Sequence, residues 1–87
     1  MKTEYQYIRF DEQEKLEKSK MHWWIIHNKK SGDALGVIFW ENGWREYVLQ
    51  ADQDIIFDVN CLEDIIAFIK EAMLDHEKEL KARKVTA

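Results

Sequence analysis

The 87-residue chain predicts an α+β fold, a small antiparallel sheet of three to five strands packed on one long C-terminal helix. Three observations carry that expectation. Asn42-Gly43 separates two apolar runs, residues 35–40 and 44–49, and Asn-Gly between β-favouring runs is the strongest short hairpin signal. Trp23-Trp24-Ile25-Ile26 is apolar on both alternate faces, as in a strand covered on two sides. Beyond residue 60 the period changes, and Leu62, Ile65, Ile66, Ile69 and Met73 recur at helical spacing, broadened by Phe68, Ala72 and Leu80.

Taken in order, residues 5–10 (Tyr-Gln-Tyr-Ile-Arg-Phe) form a short strand, because aromatic and β-branched side chains suit a pleated surface. Residues 11–20 are mostly charged, with Leu16 their lone apolar residue, and predict a charged loop or short helix. Residues 21–27 form the central strand, and the polar stretch 28–33 turns the chain.

A two-residue type I′ turn at Asn42-Gly43 would set Trp40 opposite Arg45, Phe39 opposite Glu46 and Ile38 opposite Tyr47. One face then carries Leu35, Val37, Phe39, Trp44 and Val48, and the other Ile38, Trp40, Arg45, Tyr47 and Leu49. Ile55-Ile56-Phe57 is too short for anything but an edge strand or an extended connector. Asn60 is expected to cap the helix, with Glu63 completing a capping box.

The helix is expected over residues 61–81, with Arg83 and Lys84 near its negative end and residues 82–87 as a frayed tail. At 1.5 Å per residue it reaches about 30 Å, against roughly 20 Å for a six-residue strand. Its end should therefore overhang the sheet, where Met73, His76 and Leu80 are placed to meet a second subunit.

Eighty-seven residues make a single domain, residues 1–87. Lys and Arg number 13 against 17 Asp and Glu, a net charge of -4 that repels phosphate backbones at long range. Cys61 is the only cysteine, so no intrachain disulfide is possible and a reducing compartment is expected. The polar N-terminus does not resemble a signal peptide and no run approaches 18 apolar residues, so the expected location is cytoplasmic, away from the membrane.

No motif supplies chemistry. His22 and His27 are separated by an odd number and fall on opposite faces of a regular strand, which makes them poor joint metal ligands. His76-Glu77 lacks the second histidine of a zinc-protease helix, since Leu80 stands in its place. Asp52, Asp54 and Asp58 lack the glycine and terminal glutamate of a calcium loop. Cys61 lies at the helix start, where the dipole would lower its pKa, yet no partner makes it a nucleophile and its expected role is a small core residue. The expectation is a protein that is not an enzyme and carries no cofactor or metal.

What the chain does carry is an apolar surplus. One helix covers one sheet face, and both faces hold large apolar groups. The candidate interaction residues are Trp40, Arg45 and Tyr47, with Trp44, Trp24, Met73 and Leu80, since Trp, Tyr and Arg dominate binding hot spots. Arg45 would stack on Trp40 across the hairpin. The expected partner is a second copy or another protein. Lys29 and Lys30 are the best small basic spot for the alternative, a nucleic-acid-binding accessory protein.

The pattern Trp24-x-Ile26-x-Asn28, Ser31-Gly32-Asp33-x-Leu35-Gly36-x-Ile38-x-Trp40, Trp44-Arg45-x-Tyr47, Cys61-Leu62-x-Asp64-Ile65 and Phe68-Ile69 resembles a family of small uncharacterised proteins of bacteria and their phages. The resemblance spans roughly residues 21–74 and transfers no catalytic residue. It implies a bacterial or phage-encoded accessory protein, including one that inhibits a host system.

Overall fold

Period-two and helical segments separate along the chain into β1 (Ile8–Glu12), β2 (Trp24–Asn28), β3 (Ala34–Glu41), β4 (Glu46–Ala51) and α1 (Val59–Thr86). They come from a computed structural model that describes the backbone of residues 1–86 and the side chains of residues 1–82. The strands form one antiparallel sheet in the order β1-β2-β3-β4, and α1 lies across one face, an α+β fold.

The core lies between that face and the helix. Alternation sends Ile8 and Phe10 of β1, Trp24 and Ile26 of β2, Ile38 of β3 and Tyr47 of β4 to the same side, where α1 supplies Ile65, Phe68 and Ala72. Phe68 is wholly buried. Its ring stacks on Phe10 with centroids 3.9 Å apart and meets Trp24 edge-on at 5.0 Å. Trp24 in turn meets Tyr47 edge-on at 5.4 Å, so aromatic contact runs from β1 to β4. Truncating a buried Phe of this kind to Ala costs about 3–5 kcal/mol, a large share of a small domain's stability.

The central hairpin departs from expectation in its loop. Glu41 pairs with Glu46 and Trp40 with Tyr47, so four residues close the turn and the register is two residues from the expected one. Neither Asn42 nor Gly43 has the positive φ of a type I′ turn; Arg45 does, at 55°. The Glu41 carbonyl accepts the N–H groups of Trp44 at 3.2 Å and Arg45 at 2.7 Å, and its carboxylate accepts that of Gly43 at 3.0 Å. A shift of two preserves side-chain parity, so the two expected faces survive. The Trp40–Arg45 pair does not: Trp40 lies 5.2 Å from Tyr47, ring to ring, and Arg45 is in the loop.

Other boundaries move for local reasons. The first strand begins at Ile8 rather than residue 5, because residues 3–10 double back: Phe10 donates its N–H to the Thr3 carbonyl and Tyr5 to that of Ile8. Residues 11 and 12 of the expected loop extend β1, and the rest is irregular with a turn at Lys18. Ile55-Ile56-Phe57 pairs with no strand and connects β4 to the helix, which leaves the sheet at four strands. Asp58, not Asn60, caps α1: its carboxylate accepts the Cys61 N–H at 2.8 Å, so the helix starts at Val59 and the Asn60–Glu63 capping box does not form.

Leu62 and Ile66 sit on the outer flank of the expected stripe and are exposed, and the core side of α1 is centred on Ile65, Phe68 and Ala72. The helix runs on through most of the tail expected to fray. Ala87 and the side chains of Arg83 and Lys84 lie outside the described residues. With 28 residues α1 is about 42 Å long and sets the 45 Å long dimension of the molecule.

The Leu35-Gly36 pair has a geometric cause. Pairing shifts from Ile26–Gly36 to His27–Ala34, so Leu35 is an extra, bulged residue of β3 opposite β2. A Cβ on Gly36 would lie 2.7 Å from the Gln50 carbonyl oxygen and 3.1 Å from the Ala51 Cα, both backbone atoms that cannot swing away. In urea unfolding, Gly36→Ala is expected to lose about 1–3 kcal/mol. Arg45→Gly is expected to gain about 0.5–1 kcal/mol by removing a side chain from a left-handed position.

Candidate interaction surface

Strand parity determines which sequence-predicted residues are accessible. Tyr47 and Trp24 are buried under α1, and Trp40 is half-buried with its ring 4.4 Å from His76 of the helix. The face expected to await a partner is therefore the one the helix covers, because it also carries Ile8, Phe10, Ile26 and Ile38. Met73 is half-buried, and its Sδ accepts the Tyr47 N–H at 3.3 Å. Trp44 and Arg45 are exposed in the turn, Trp44 to 71%, and Leu80 is exposed on the overhanging helix.

The face left without a helix carries Ile25 of β2, Val37 and Phe39 of β3 and Val48 of β4, with Trp23 just ahead of β2. All five are half-buried by their neighbours in the sheet. Residues 13–21 fold over part of this face. The Gln13 N–H bonds to the Trp23 carbonyl at 2.9 Å, and the Trp23 indole donates to the Glu14 carbonyl at 2.7 Å. A groove of about 310 Å³ remains between this arm and the sheet, lined by Leu16, Met21, Trp23, Val37, Phe39 and Gln50. Leu16, the lone apolar residue of the arm, stands 64% exposed at its lip.

Polar groups on the same face pair with one another. Asp11 accepts the Arg9 Nε–H at 2.9 Å and lies 2.5 Å from His27 Nδ1, joining β1 to β2. His22 turns to the helix side, between Glu12 at 2.9 Å and Glu79 at 3.2 Å, so the two histidines do take opposite faces. Among the described residues, no three His, Cys, Asp or Glu side chains converge as a metal site. Lys29 and Lys30 border a shallow depression with Tyr7, but Lys29 is tied by its Nζ to the Tyr5 carbonyl at 3.0 Å. No helix among the described residues is long and apolar enough to cross a membrane.

Cys61 is half-buried against the core, the role expected of it, and its thiol pKa is raised rather than lowered. Burial pushes its thiol pKa up, and Asp58 adds to this by accepting the thiol hydrogen bond and by its charge. Asp58 itself is held below the ordinary carboxylate range, chiefly by the Cys61 backbone N–H. No protein-family model matches the chain, and no curated protein or solved structure is significantly similar to it.

Two outcomes follow from the Asp58–Cys61 pair. Iodoacetamide should label Cys61 more slowly than a free cysteine at neutral pH, and Asp58→Asn, which removes the charge and keeps a cap, should speed labelling. Because the folded pKa of Asp58 is depressed, its stabilising effect is present above its unfolded pKa and is lost as pH falls through its folded value. The acid limb of a thermal-melting series should therefore flatten in Asp58→Asn.

Proposed function

We propose that the protein is a non-enzymatic interaction module of a bacterium or its phage, whose helix-free sheet face receives an amphipathic helix of another protein. The supporting observation is the continuous apolar strip of Ile25, Val37, Phe39 and Val48 with a lipped groove at its end. Four strands spaced about 4.8 Å apart and five to eight residues long give a face roughly 20 Å square, wide enough for one helix of about 10 Å diameter. A helix laid there would supply the third layer that a sheet apolar on both faces calls for. Inhibition of the captured protein by masking its helix is the corresponding activity.

A nucleic-acid role is the second reading, favoured by exposed Tyr7 beside Lys29 and Lys30. It is the weaker, because the net charge is -4.

Capture from bacterial lysate with wild-type and Phe39→Asp baits tests the proposal. The expected result is a protein retained by the wild type, lost with Phe39→Asp and unaffected by Lys30→Glu, with amide-exchange protection on Ile25, Val37, Phe39 and Val48. Retention that survives Phe39→Asp, or protection confined to Tyr7, Lys29 and Lys30, would refute it.

A further inference from the structure

A second apolar surface lies along α1, away from the open sheet face. Next to the core-facing side of the helix runs a stripe of Val59, Leu62, Ile66, Ile69, Met73 and Leu80. Met73 locates it. Its Sδ holds the Tyr47 N–H of edge strand β4, so the stripe follows the β4 side, whereas Glu71 on the opposite flank accepts the Lys2 N–H at 3.1 Å. Ile69 and Met73 lean on the core, but Val59 is 68%, Leu62 42% and Ile66 52% exposed. Ile56, in the connector just before the helix, is 94% exposed.

The spacing 59, 62, 66, 69, 73, 76, 80 alternates steps of three and four, the seam of a helix that pairs with another helix. Glu63, Lys70 and Glu77 follow its 62, 69 and 76 positions and flank the seam on the solvent side. The other flank holds Ile65 and Ala72, which are buried against the sheet.

We propose that a second copy of this chain occupies this stripe, the two α1 helices running antiparallel about a twofold axis between Ile66 and Ile69. In that register Ile66 meets Ile69 of the second copy, Leu62 meets Met73 and Val59 meets His76, and exposed Ile56 lies near Leu80. Glu63 then faces Lys70 of the second copy, and symmetry repeats the pair. A parallel arrangement has no such match. There, Glu63 would face the like-charged Asp58, and Lys70 and Glu77 would need charged partners at the positions of Ile65 and Ala72, which are committed to the core.

The stripe covers on the order of 600 Å² per copy, about 1,200 Å² in all, which reaches the lower end of specific interfaces and fits micromolar association. Neither groove nor open face takes part, so the inference stands apart from the proposed function.

Sedimentation equilibrium of the full chain, up to about 0.5 mM, tests it. The wild type is expected to approach twice the chain mass of 10.5 kDa, and Ile66→Glu to remain monomeric with an unchanged circular-dichroism spectrum. Lys70→Glu should weaken association about tenfold, because each Glu63 would then face a second carboxylate at both symmetry-related contacts. Combining Glu63→Lys with Lys70→Glu should restore association.

A wild-type monomer at the highest concentration, or a dimer that survives Ile66→Glu, would overturn the proposal. Failure of the charge swap to restore association would overturn the antiparallel register. Loss of the dimer in Phe39→Asp would place the contact on the sheet face instead.

Discussion

Phe68 is the contact on which the molecule depends. One side chain from α1 lies flat on Phe10 of β1 and edge-on to Trp24 of β2, and Trp24 passes the contact to Tyr47 of β4. With only one helix available, this aromatic run decides where the helix sits and how it is rotated. The rotation turns Ile65 and Ala72 inward and Leu62 and Ile66 outward. Tyr47 and Trp24 are consumed by the core, and Phe39 and Val48 are left on the far side of the sheet.

Both candidate surfaces arise from that single attachment. A two-layer domain of this size lacks the material to cover a sheet that is apolar on both faces, and a helix of about 42 Å extends well beyond strands of five to eight residues. The arm of residues 13–21 covers part of the deficit through two hydrogen bonds around Trp23 and stops short, leaving a groove rather than a closed layer.

The polar groups pair with one another rather than converging on a site. Among the described residues the buried set contains no polar or charged side chain other than the tyrosines, and no buried side-chain polar atom lacks a partner. Asp11, Arg9 and His27 form a paired network on the open face, and His22 joins β1 to the helix through Glu12 and Glu79. Cys61 and Asp58 serve the start of the helix, with the thiol in its less reactive form. These arrangements hold elements in place.

The amino-acid sequence by itself determined the α+β class, the strand–helix order, the side-chain parity of β2 and of the hairpin strands apart from Leu35 at the bulge, and the opposition of His22 to His27. Each is set by a backbone period, two residues in a strand and 3.6 in a helix, which any window of the chain displays. Tertiary structure alone decided the hairpin register, since a slip of two residues keeps the same parity and is chosen by the fit of Trp40 to Tyr47 and His76. It also decided which face the helix covers. The hairpin is comparably apolar on both sides, and only β1 and β2, through Ile8, Phe10, Trp24 and Ile26, make one side the deeper seat for Phe68. Trp40 and Tyr47 therefore looked like a surface in the hairpin's own sequence, whereas in the fold Tyr47 is core and Trp40 packs half-buried against it, because burial is a property of how distant segments meet and no local pattern records it.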